Sequence, residues 1–207
     1  MTEHQEEIKQ WTEQLRHKTS AKRRIAAKRL RKLKTLESGP AVLAALHKEM
    51  QDPRTWETQY QMIMALGESG YKDALPFLNQ LATKNLVFMV LLAVGDAIVR
   101  LGRADEQDAE PILELLSTDN RALIEGGLRA IAMLRLKLKE SAVQRIIEYA
   151  SNPENEQLHF WIAAAAAGWN GAKVDSFLRL CANSSREDTR MAAAASANKK
   201  YLKWDPL

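Results

Sequence analysis

Asp96 sits in an otherwise apolar stretch running from Phe88 to Leu101. A buried carboxylate must be hydrogen-bonded or paired, or its pKa rises until it neutralises. Such a group can serve as a catalytic acid or base. A structural ion pair is the simpler reading, and Arg129, at an equivalent position further along the chain, is the expected partner. The single Cys181 lies between Leu178 and Ala182 in an apolar setting that suits a buried core thiol. His4, His17, His47 and His159 show no metal-ligand spacing with one another or with Cys181. No Gly-rich phosphate loop follows a strand, and no Ser/His/Asp or Cys/His pairing stands out. Trp56, Trp161 and Trp169 sit at helical spacing beside Tyr60, Ile162 and a run of alanines, which reads as core rather than as an aromatic binding surface. The residues therefore assign no catalytic group, no metal and no cofactor.

Charge supplies a stronger signal. Between Arg16 and Lys34 there are ten Lys or Arg and no Asp or Glu, whereas the rest of the chain carries 20 positive and 26 negative side chains. One segment makes the whole chain basic, at a net +4. At about 100° per residue on a helix, Ile25, Ala26, Leu30 and Leu33 gather on one side, and Arg23, Arg24, Lys28, Arg31, Lys32 and Lys34 fan over the other. A rigid cationic face of this kind can grip phosphates or an acidic protein surface, with strong salt dependence. It can equally be the polar outer surface that an end repeat requires. It carries no interleaved aromatic platform with which to hold bases.

These residues need elements to position them, and the composition points to helices. Gly and Pro number 9 and 6, about 7% of 207 residues, while Ala and Leu are abundant and aromatics make up 6%. Apolar helices recur at intervals of 33 to 36 residues. Leu30, Leu66, Leu101, Leu134 and Ala167 mark the first helix of each unit, preceded by Ala26, Met62, Ala97, Ala130 and Ala163. Leu43, Leu78, Leu113, Ile146 and Leu178 mark the second. Turn signals separate the units, among them Ser38-Gly39-Pro40, Asp52-Pro53 and Asn152-Pro153. The reading is a leading helix at 6–15, helix pairs at 20–51, 53–85, 87–118, 121–151 and 154–184, and a terminal helix at 186–200. It implies one domain over 1–207, with an N-terminal cap over 1–19, repeats over 20–184 and a C-terminal cap and tail over 185–207. The chain is expected to be more than about 60% helical, twice the usual third, and free of β-sheet.

The pattern resembles HEAT repeats. Arg23, Ala26-Ala27, Leu30 and Leu33 carry the resemblance in the first pair, and Asp188-Thr189-Arg190 with Ala193-Ala194 repeats it in part near the end. Asp52-Pro53-Arg54 and the Leu-Gly pairs at 66–67 and 101–102 add to it. In the middle repeats the position of the early arginine holds Gln59, Val94, Gly127 and Phe160. The resemblance implies an all-α, right-handed solenoid of about five antiparallel helix pairs with flanking end helices. It further implies a binding surface on the second helices, with Asn79, Glu114, Gln144, Glu148 and Arg179 as exposed candidates.

The function expected is a non-enzymatic, cytoplasmic scaffold that binds another protein, with an inhibitor or immunity protein facing a basic partner as one form of it. Nucleic acid is an alternative partner through the basic N-terminal repeat. Some HEAT-like proteins are DNA glycosylases that use an Asp near Trp residues, but here no Trp is followed four residues later by Asp. A chromophore lyase-like helper is a further alternative. No membrane is expected, since the longest apolar run, Leu86 to Val94, is too short to span one.

Overall fold

A computed structural model describes residues 2–202. Twelve α-helices run through them: α1 (Glu3–Gln14), α2 (Ser20–Leu33), α3 (Gly39–Glu49), α4 (Trp56–Ser69), α5 (Leu75–Ala82), α6 (Phe88–Gly102), α7 (Glu110–Leu116), α8 (Arg121–Leu134), α9 (Glu140–Ala150), α10 (His159–Ala165), α11 (Ala172–Ala182) and α12 (Glu187–Ala197). Among the described residues there is no strand. The expected pairs appear within a few residues of their sequence-based bounds. Met1 and 203–207, the end of the expected tail, lie outside the described residues.

Local chemistry starts and stops these helices where the sequence signals it. The Thr2 hydroxyl accepts from the Gln5 backbone N–H while the Gln5 side chain accepts from Thr2 N–H, a reciprocal cap. Pro40, Pro76 and Pro111 occupy the first turns of α3, α5 and α7, where a missing N–H leaves no bond unmade. Lys34, Gly70 and Arg135 end α2, α4 and α8 in the left-handed conformation.

The chain divides into two compact units, residues 1–102 and 103–207. In the first, α2, α4 and α6 stack side by side, α3 packs on α4, α5 packs on α6, and α1 closes against α2. In the second, α8, α10 and α12 stack in the same way, while α7, α9 and α11 form the other layer. Ala26, Met62, Ala97, Ala130 and Ala163 are all fully buried in their stacks. The stacking of α4 on α6 is close enough to require Gly67, where a Cβ would come within 3.0 Å of the Ala97 Cα. Gly67→Ala is therefore expected to destabilise by about 1 kcal/mol by urea denaturation, because overpacking costs roughly 1–3 kcal/mol against a helix-propensity gain of about 1.

One repeat marker is misplaced by the sequence period. Leu134 is half-exposed, whereas Ile131 is fully buried. The backbone shows why. Tyr71 N–H donates to the Leu66 carbonyl, and Leu136 N–H donates to the Ile131 carbonyl, each across a left-handed cap residue. Ile131 is thus the true counterpart of Leu66, and the spacing shortens at α8.

Candidate functional site

The basic segment folds into α1's exit turn and α2, but not as a free cationic face. Ile25 is 51% exposed and Arg31 only 7%, so the buried side of α2 is Ala26, Ala27, Leu30 and Arg31 rather than the stripe expected from the wheel. The physical reason is a polar ladder between α2 and its neighbours. Arg23 grips Glu49 with a two-pronged pair, Nε to Oε2 at 2.6 Å and an Nη to Oε1 at 2.9 Å, the geometry a planar guanidinium favours. Its other Nη donates to the His17 carbonyl at 2.8 Å. Arg24 pairs with Glu57. Arg31 pairs with Glu68 at 2.7 Å, and Lys34 lies 3.9 Å from the same carboxylate. Arg29 stands over the Trp11 ring at 5.7 Å. Lys28 and Lys32 remain exposed and take part in no ion pair among the described residues. The six residues proposed as one binding face are therefore divided between internal pairing and solvent.

Electrostatics agree with the geometry. Burial works to raise the Glu49 pKa, but hydrogen bonds from Arg23, Ser20 and Thr55 outweigh it and hold the group below its ordinary value. The bond to Glu49 in turn raises Arg23.

The early arginine also explains its own replacements. Arg23 ties down the carbonyls of His17 and Lys18 in the preceding turn, and Arg190 does the same to Ser184 and Ser185 at the start of α12. At the matching position in α4, the Gln59 amide donates to the carbonyls of Glu49 and Asp52 at 3.1 and 2.9 Å. An amide can replace a guanidinium here because the task is to satisfy carbonyls, not to carry charge.

The remaining chemistry-bearing residues are held in structural contacts. Asp96 is fully buried and bonds Arg100 Nε at 2.5 Å on its own helix. Cys181 is fully buried, and that burial pushes its thiol up to about 12, far from the thiolate range a nucleophile needs. His17 Nδ1 accepts from Thr19, His47 stacks on Phe77 at 3.8 Å, and buried His159 donates from Nε2 to the Ala150 carbonyl at 2.9 Å. Among the described residues no group of His, Cys, Asp and Glu could hold a metal. Trp169 is buried and donates from Nε1 to the Leu136 carbonyl, as a core residue does, while Trp56 is partly exposed.

The second helices carry the more open surface. In the second unit Glu114 lies on α7, Gln144 and Glu148 on α9, and Arg179 on α11; all but the half-buried Gln144 are exposed. Three concavities of about 570, 320 and 440 Å³ lie along these helices, and Glu148 lines all of them. Asp119 and Tyr149 line the first, Leu113 and Arg145 the second, Phe177 and Leu180 the third. The sequence period could not show these hollows, because they arise from spacing between helices. Asn79 is exposed on α5 of the first unit.

Stacked helix pairs define a helical repeat architecture. A family model described as HEAT repeats matches residues 43–132, which span α4, α5, α6 and α7 and parts of α3 and α8. Among solved structures, the chain is similar to a designed armadillo repeat protein, YIII(Dq)4CqI, at 16% identity and a TM-score of 0.44, over 93% of this chain and 99% of that one. No curated protein matches it. No helix of the described residues is long and apolar enough to cross a membrane.

Proposed function

We propose that this protein is a non-catalytic, cytoplasmic scaffold that holds a partner protein on the α7, α9 and α11 surface. The observation that carries this reading is the run of three concavities meeting at Glu148. They expose Leu180, at 54%, beside the Glu148–Lys173 ion pair. An apolar contact set within charged groups is the make-up of a protein interface. The engagement of Glu49 with Arg23 and of Asp96 with Arg100, and the high pKa of Cys181, support a non-enzymatic role.

Charge refines the partner. Residues 103–207 hold 14 Lys and Arg against 15 Asp and Glu, so this surface suits a partner presenting both signs rather than a uniformly basic one. That favours a general scaffold over an inhibitor of a basic target. Purification of the intact protein from its host is expected to recover a protein partner at stoichiometric yield. The double variant Glu148→Arg with Leu180→Arg, both at exposed positions, is expected to weaken that partner by about tenfold or more. Recovery of no such partner refutes the scaffold reading; undiminished binding by the double variant refutes the surface.

A further inference from the structure

The internal pairing along α2 moves the charge surplus somewhere else. Four of the ten cations between Arg16 and Lys34 are in ion pairs and Arg29 covers a ring; of the other five, Lys22, Lys28 and Lys32 lie on α2, and Arg16 and Lys18 lie at the turn between α1 and α2. Arg16 and Lys18 border a cavity of about 590 Å³ that is completed by α3, from which Lys48 joins them. Its floor is apolar, built from Leu15, Ala41, Ala44 and Ala45. We infer that this cleft is a second binding site, taking an acidic peptide segment of a partner protein with an apolar side chain seated on the alanine floor.

The chemistry of the lining selects this occupant. Glu49 is the one carboxylate described in the lining, and Arg23 and Ser20 already engage it. Arg23 in turn spends its donors on Glu49 and on the carbonyls of His17 and Lys18. The Thr12 hydroxyl donates to its own helix at Ile8, and His17 Nδ1 accepts from Thr19. Arg16, Lys18 and Lys48 are exposed and enter no ion pair among the described residues. Three cations around a small-residue floor complement carboxylates flanking an aliphatic side chain. Nucleic acid is disfavoured, because bases need stacking platforms and the only ring described in the lining is His17.

The test uses the intact chain and a fluorescein-labelled peptide of alternating Glu and Leu pairs, read by fluorescence anisotropy. Binding is expected at about 50 mM salt and is expected to weaken steeply towards about 200 mM. The triple variant Arg16→Gln, Lys18→Gln, Lys48→Gln is expected to lose about tenfold or more in affinity. Ala44→Trp fills the floor at an exposed position without altering charge, and is expected to lose binding as well. Lys22→Gln, Lys28→Gln, Lys32→Gln removes the same number of charges outside the cleft and is expected to change affinity by less than about threefold. Thermal melts confirm that each variant stays folded, and the exposed Gln triple decides the matter if Ala44→Trp does not. The inference is overturned by no peptide binding at low salt or by equal losses in the two Gln triples. It is also overturned if labelled single-stranded DNA binds more tightly than the peptide and ignores Ala44→Trp.

Discussion

Leu66→Ala is expected to lower the unfolding free energy by about 2–5 kcal/mol, with Leu101→Ala in the same range. Leu66 is wholly buried on α4 and Leu101 nearly so on α6, the two helices that stack directly in the first unit. Removing the isobutyl branch forfeits burial and leaves a void. The surrounding side chains close it only in part, because the stack is already so tight that Gly67 cannot gain a methyl freely. Urea denaturation of both variants measures the loss. A loss below about 1 kcal/mol at both positions contradicts the stacking described here.

The second large effect is expected at Glu49→Gln, at about 3 kcal/mol. Breaking a buried ion pair from one side strands the other charge at a cost of roughly 3–5 kcal/mol, and Arg23's partial exposure places this pair at the low end. The pH dependence distinguishes this cause from simple mispacking. The folded pKa of Glu49 lies below its ordinary 4.5, so the ionised group stabilises the fold fully above that value. The stabilisation is lost as pH falls through the lower, folded pKa. The difference between the native protein and Glu49→Gln is thus expected to be full at neutral pH and to shrink below about pH 4.5. A difference that stays constant down the acid limb assigns the effect to packing instead.

Particular residues show how much was legible beforehand. Helix boundaries follow from prolines, Asn and Asp caps and apolar periodicity, all local properties, and the expected pairs matched them. The orientation of α2 was not local. Whether Arg31 faces water or core depends on Glu68, which only the fold brings opposite it. A helical wheel that sorts by hydrophobicity puts every cation outside, and here that rule placed Ile25 in the core and Arg31 in solvent. The exchange of Arg for Gln59 looked like a departure until its amide was seen satisfying the same class of carbonyls. Leu134 illustrates a different limit, since a left-handed cap at Arg135 shifted the repeat without any break in the apolar pattern. Exposure of Glu114, Glu148 and Arg179 was readable from helical phase. The hollows at Glu148 and in the cleft beside Lys48 depend on the spacing between helices and had no sequence signature.

The claim that the second-helix surface binds protein is tested most directly by hydrogen–deuterium exchange of the complex with the co-purified partner. The expected result is slowed exchange over Glu140–Ala150 and Ala172–Ala182, the α9 and α11 helices, with α4 unchanged. Protection that leaves both of these helices untouched would contradict it.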